Sequence, residues 1–191
     1  MKELSLHLLD IVKNSTAAGA ALVEVSLTEA EDRTLTIVIA DNGAGMSPET
    51  LSSVSDPFTT SRTTRKVGLG IPLYRMAAEQ TGGSVKLESA LGVGTTVTAV
   101  FHLDHLDCAP LGDLPGAAAT VIQGNPRTDF RFSRATPRGS YCLDTREMRE
   151  LLGPDVPLDA PEVFAWVTGY LQEQEDALND PTQFPAYGAG I

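Results

Sequence analysis

The chain has 191 residues, with 14 Lys and Arg against 25 Asp and Glu, a formal net charge of −11 at pH 7. Hydrophobic residues at 42% and charged residues at 20% describe a globular chain with ample material for a core, and the acidic balance argues against nucleic acid as the main partner, because phosphate binding needs a concentrated basic surface. No apolar run approaches the ~18 residues of a membrane span, and the amino terminus MKELSLHLLD lacks a basic stretch followed by an apolar one, so a cytoplasmic location without a membrane partner is expected.

Leu4, Leu8 and Ile11, with Leu9 and Val12, recur every three or four positions, so residues 2–18 are predicted as a helix stopped at Gly19. Residues 22–28 and 34–40 are rich in Leu, Val, Ile and Thr and read as an antiparallel pair of strands. Ser47 then Pro48 is the pattern of a helix cap and first helical residue, opening a short helix to Val54. No apolar period is visible over 55–67, which is read as a loop. A helix over 70–80 follows, then a turn at Gly82-Gly83 and a hairpin of 84–89 with 95–103. Helix, two strands, short helix, loop, helix and two strands predict an α+β sandwich, with helices on one face of a mixed sheet.

Beyond residue 104 the composition shifts. Gly112, Pro115 and Gly116 are expected to interrupt any long regular element before the apolar stretch 117–122. Residues 129–134 and 140–143 make a hairpin with Phe130 and Phe132 on one side, Asp144 with Glu147 resembles a capping box, and Pro161 opens a helix with Val163, Val167 and Leu171 on one stripe. From Leu151 to Ile191 there is no Lys or Arg, against seven Asp or Glu; that stretch reads as a solvated acidic surface. The expected division is an opening domain over 1–103, a small acidic α+β extension over 104–180 that offers a partner surface, and a loose tail over 181–191.

Glycine is concentrated in three places: Asp41-Asn42-Gly43-Ala44-Gly45, Gly68-Leu69-Gly70 and Gly92-Val93-Gly94-Thr95-Thr96. A glycine pair ahead of a helix lets backbone N–H groups approach an anion closely, although ordinary turns would explain any one of the three. Asp10 and Asn14 are four apart and share a helix face. They are either a solvated flank or a carboxylate that orients an attacking group beside an amide oxygen suited to Mg²⁺. Arg62, Arg65 and Lys66 cluster three cations in an acidic chain, either as a solvated loop or as charges closing over a polyphosphate.

In this order, HLLDIVKNSTAAGA, IADNGAGM, DPFTTSRTTRKVGLGIPL and GVGTTVTAVF resemble the ATP-binding domain shared by DNA gyrase, the large heat-shock chaperone, sensor histidine kinases and the mismatch-repair ATPase, the GHKL superfamily. The likeness covers residues 1–103. It implies a two-layer α/β sandwich of the Bergerat type, here with a small α+β C-terminal extension, and ATP and Mg²⁺ as cofactors. It implies Asn14 as the metal-binding Asn and Asp10 at the catalytic carboxylate position, one methylene shorter than the Glu of the gyrase branch. Asp41 would accept the adenine amino group, which selects ATP over GTP, with Gly43, Gly45 and Met46 beside the base. Phe58 would precede a lid over 59–67 that includes Thr60, Arg62, Arg65 and Lys66. Gly68, Leu69 and Gly70 would meet the phosphates, and Thr96 would support adenine recognition. Ala17 departs from the Asp or Lys found there in the larger branches.

Because the first box begins within ten residues of the first residue, no phosphoacceptor hairpin is expected ahead of it, and His7 is expected to be packed rather than phosphorylated. The whole chain also looks like short bacterial stand-alone ATP-binding proteins of the histidine-kinase-like type. The function expected from these resemblances is regulatory protein phosphorylation of an unidentified protein partner. A slow ATPase acting as a nucleotide-gated switch, or an ATP-sensing module, are the alternatives, and homodimerisation stays open.

Overall fold

A computed structural model describes residues 3–55 and 70–180. Its elements are α1 (Leu4–Ala17), β1 (Leu22–Glu29), β2 (Thr34–Asp41), α2 (Pro48–Ser55), α3 (Gly70–Gln80), β3 (Ser84–Ala90), β4 (Gly94–His102), α4 (Leu114–Gly124), β5 (Asp129–Thr136), β6 (Gly139–Asp144), α5 (Thr145–Leu152) and α6 (Pro161–Asn179). One six-stranded sheet runs in the order β3-β4-β2-β1-β5-β6. Only the β1–β5 pair is parallel, with Val23 opposite Phe130 and Val25 opposite Phe132. The sheet is therefore mixed, as the order of elements implied, and the fold is α+β.

Alternation along the strands places the core. Val23, Val25 and Leu27 of β1, Leu35, Ile37 and Ile39 of β2, Val97, Ala99 and Phe101 of β4, and Phe130 and Phe132 of β5 are buried on one face. Residues in the opposite phase, among them Glu24, Ser26, Thr36, Thr98 and Arg131, keep access to solvent. Such a period-2 division is what a sheet covered on one side requires. The covering layer follows from the helix contacts: α3 lies against β3 and β4, α1 against β1 and β2, α4 against β5, and α6 against β6, with α1 between α3 and α4. Leu4, Leu8, Ile11 and Val12 of α1 are each no more than 3% exposed, so this helix is held on three sides.

The residues after 103 add two strands to the same sheet, and Asp129 N bonds to Ala21 O at 2.8 Å where β5 starts alongside β1. One expectation fails here. Pro115 and Gly116 do not delay the helix, because α4 begins at Leu114. Proline in the first turn loses no hydrogen bond, since those N–H groups have no partner within the helix. Asp113 Oδ1 then accepts from Gly116 N at 2.8 Å and caps the turn. Asp144 likewise caps α5 by accepting from Arg146 N at 2.9 Å. Among the described residues no helix is long and apolar enough to cross a membrane.

Candidate functional site

Asp41 is the last residue of β2, and both of its carboxylate oxygens are held. Ser15 Oγ donates to Oδ2 at 2.6 Å, and the Gly43 N–H donates to Oδ1 at 2.9 Å. Neighbouring Asn42 turns the other way, its Oδ1 accepting from Ala21 N and Leu22 N at 2.9 Å each. These bonds tie the turn after β2 to the start of β1 and leave the carboxylate fixed at the end of α1.

Close backbone approaches shape the rest of the turn. Gly45 has φ +63°, and a Cβ there would sit 2.0 Å from Ala90 O; at Gly94, with φ +134°, it would sit 1.9 Å from Asp41 O. Both positions combine a left-handed conformation with backbone contact, so both exclude a side chain. Met46 N donates to Ser89 Oγ at 2.9 Å, which also lies 2.9 Å from Thr95 Oγ1. The turn is thus wedged between the end of α1 and the β3–β4 hairpin.

A cleft of about 250 Å³ opens at this junction. Ile11, Met46, Val54, Ile71 and Val97 give it apolar walls, and Asn14, Ser15, Asp41 and Thr95 contribute its polar groups. Apolar lining with a few converging polar groups is the usual make-up of a small-molecule site. Next to it, α3 begins against the face of α1 that carries Asp10 and Asn14: a Cβ on Gly70 would lie 3.5 Å from Asp10 Cβ and 3.9 Å from Asn14 Nδ2. The Asp10 side chain is 42% exposed, with Lys13 Nζ 3.9 Å away.

The structure therefore brings together Asn14, Asp41, Gly45 and Met46 on one cleft, with Gly43 bonded to Asp41 and with Asp10 and Gly70 at its α1–α3 side. Thr96 is not among them. Val97, Ala99 and Phe101 face the core, so the alternation of β4 turns Thr95 to the cleft and Thr96 to the open face of the sheet. Phe58, Thr60, Arg62, Arg65, Lys66, Gly68 and Leu69 lie outside the described residues. Ser15 and Thr95 are site residues that the sequence did not single out. Ser15 carried a signal: it continues the buried stripe Leu4, Leu8, Ile11, and a hydroxyl in a core phase needs a partner.

His7, three residues before Asp10, is 3% exposed, and its ring centroid is 5.5 Å from that of buried Tyr74. Burial lowers the histidine pKa below its ordinary value, and burial raises that of the Tyr74 phenol. The imidazole is a packed group on the core side of α1, set against Tyr74 of α3.

Comparison with known proteins places this geometry. The family described as "Histidine kinase-, DNA gyrase B-, and HSP90-like ATPase" matches residues 2–105. The histidine protein kinase DivJ of Caulobacter vibrioides is 36% identical over 103 residues, which cover 51% of this chain and 17% of DivJ. Sensor protein SrrB of Staphylococcus aureus is 35% identical over 102 residues, covering 50% of this chain and 17% of SrrB. The chain thus spans about a sixth of the length of these relatives. Among solved structures, the N-terminal domain of a DNA repair protein superposes with a TM-score of 0.52 at 18% identity, covering 75% of this chain and 53% of that one, a likeness of fold. The chain belongs to the histidine kinase-, DNA gyrase B- and HSP90-like ATPase family, and its cleft lies within the matched residues.

Proposed function

We propose that the chain binds ATP with magnesium in the Asp41 cleft and transfers the γ-phosphate to a partner protein in the cytoplasm. The observation that carries this reading is the Asp41 carboxylate, held by Ser15 and Gly43 beside apolar walls. A fixed acceptor in a largely apolar pocket suits the exocyclic amine of adenine. The oxo group of guanine would place acceptor against acceptor, so ATP is preferred to GTP. The supporting role expected of Thr96 passes to Thr95, whose hydroxyl lines the cleft.

The remaining residues fit the polyphosphate and its ion. Asn14 offers an amide oxygen, a ligand type that Mg²⁺ accepts alongside phosphate oxygens and water. A bound magnesium would supply neutralisation of phosphate charge. The N–H groups at the start of α3, which begins at Gly70, supply the positive end of a helix dipole next to Asn14, and Gly68, Leu69 and Gly70 are assigned to the phosphates. Asp10, nearly half exposed, can be reached by the hydroxyl or imidazole of an incoming protein and would orient it or accept its proton. Arg62 and Arg65 are assigned to the γ-phosphate, and Phe58, Thr60 and Lys66 to the closure around the nucleotide.

A second reading, a slow ATPase working as a nucleotide-gated switch, draws support from Asp10 itself. Its side chain, one methylene shorter than Glu, shortens its reach toward an attacking water or acceptor. Titration calorimetry with magnesium ATP should give saturable heat that magnesium GTP does not; absence of heat with ATP overturns both readings. Label carried from the γ-phosphate onto a protein supports the kinase, whereas label released only as free phosphate supports the switch.

A further inference from the structure

We propose that the groove between α5 and α6 receives a basic amphipathic helix of a partner protein. Met148, Leu151 and Leu152 of α5, Val156 in the connection, and Val163 and Trp166 of α6 line a cleft of about 270 Å³. Met148 and Val163 are its buried floor, while Leu151 is 87% exposed, Trp166 54% and Val156 39%. Met148, Leu151 and Leu152 have i, i+3 and i+4 spacing, so one stripe of α5 starts in the core and runs out into solvent. Large apolar side chains left open side by side mark an interaction surface more than a need of the fold. Trp166 is one of its lining residues, and Trp is among the residue types most enriched at interface anchors.

Charge decides what fits. Glu162 lines the groove, and Glu147, Glu150, Asp155 and Asp159, all exposed, are within three residues in sequence of lining positions. The nearest cations are already engaged: Arg146 bonds to Asp144, and Arg149 to Asp129 and to the Pro126 carbonyl. From Leu151 to the end of the chain there is no Lys or Arg. An apolar floor inside an acidic rim is complementary to a helix whose apolar stripe is flanked by Lys and Arg. A second copy of this face would set acid against acid, and the chain's own residues 181–191 carry no basic side chain with which to meet the rim. This inference does not depend on nucleotide binding.

The chain has one tryptophan, so Trp166 emission reports the groove directly. The probe is a tryptophan-free synthetic peptide of about 18 Leu and Lys residues with Leu at i, i+3, i+4 and i+7, titrated into the full chain without nucleotide. Controls are a scrambled peptide of the same composition and the version with Glu for Lys. A saturable blue shift is expected with the amphipathic basic peptide, weakened about tenfold by scrambling, absent with Glu, and reduced by added salt. Leu151→Ser and Val156→Ser, at exposed positions, should weaken binding about tenfold, with circular dichroism confirming the fold; Glu150→Gln should weaken it less. Four results would each overturn the proposal. These are no shift, an equal shift with the scrambled or Glu peptide, and affinity unchanged in Leu151→Ser. The fourth is an emission that already moves with protein concentration, or on deletion of 181–191, which would identify a second copy or the tail as the occupant.

Discussion

Ser15 Oγ on α1 donates to Asp41 Oδ2 at the end of β2 over 2.6 Å, and Ser15 is 4% exposed. A hydrogen bond to a charged acceptor contributes about 1.5–3 kcal/mol and, inside a packed junction, fixes orientation as well. In the proposed site it makes Ser15 a positioning residue for the carboxylate that reads the base. Ser15→Ala should leave the fold intact and weaken ATP binding about tenfold, whereas Asp41→Asn should weaken it further and erode the preference over GTP. Calorimetry with both nucleotides checks this; an unchanged ATP affinity in Ser15→Ala would count against the role.

Glycine at 45 and 94 is required by contact as well as by φ. Gly45→Ala and Gly94→Ala should each lower stability by more than about 3 kcal/mol, because a Cβ would meet Ala90 O and Asp41 O at 2.0 and 1.9 Å. Gly92→Ala is the control: φ is +76° there, yet nothing lies within 4 Å, so only the conformational cost of about 1–2 kcal/mol applies. Thermal melts of the three variants should rank accordingly.

A buried charge cluster docks α6 on the sheet. Arg134, with its side chain 5% exposed, donates to Glu29 at 3.0 Å and lies 3.7 Å from Glu175, which accepts from Tyr141 Oη at 2.7 Å. Removing the cation leaves Glu175 with only the Tyr141 hydroxyl, while Glu29 keeps Arg33, so Arg134→Met should cost about 3 kcal/mol. Tyr141→Phe removes one bond to a charged acceptor and should cost about 1.5–3 kcal/mol. Urea unfolding followed by Trp166 emission tests the order of the two, because the tryptophan stands on α6 itself.

Acid should weaken the fold through His7. Its folded pKa lies below the ordinary 6.5, chiefly because burial disfavours the cation, with the amino terminus adding to the effect and Asp10 opposing it. His7 Nδ1 has no hydrogen-bond partner among the described residues that would favour protonation. The unfolded chain binds a proton as pH falls through 6.5, and the folded chain binds it only at lower pH. Stability is therefore full above that pH and declines below it, by at most about 1.4 kcal/mol per pH unit from this group. Urea midpoints measured between about pH 5 and pH 8 should fall more steeply toward acid in the wild type than in His7→Leu.

Much of the architecture was legible in local patterns. The stripe of α1, the alternation of β1 and β2, the Ser47-Pro48 start of α2 and the Asp144 cap of α5 each depend on residues within a few positions of one another. The turn after β2, with Asp41 and its glycines, was legible for the same reason. Other features were not. Pro115 read as a breaker because proline interrupts a helix interior, and whether it stands in a first turn depends on where the helix begins. Thr95 and Thr96 could not be separated by type, and Val100, apolar but on the open face, blurred the phase of the strand.

By itself, the sequence determined the elements, the glycine turns and the family's motif order, because backbone periodicity and capping are settled over distances of a few residues. The tertiary structure decided which side chains meet. Ser15 reaches Asp41 across 26 positions only because α1 crosses the end of β2. Leu151 and Trp166 form one groove only because α5 turns back beside α6. Such contacts depend on sheet register and on the stacking of layers, and neither is written in any short window of the chain.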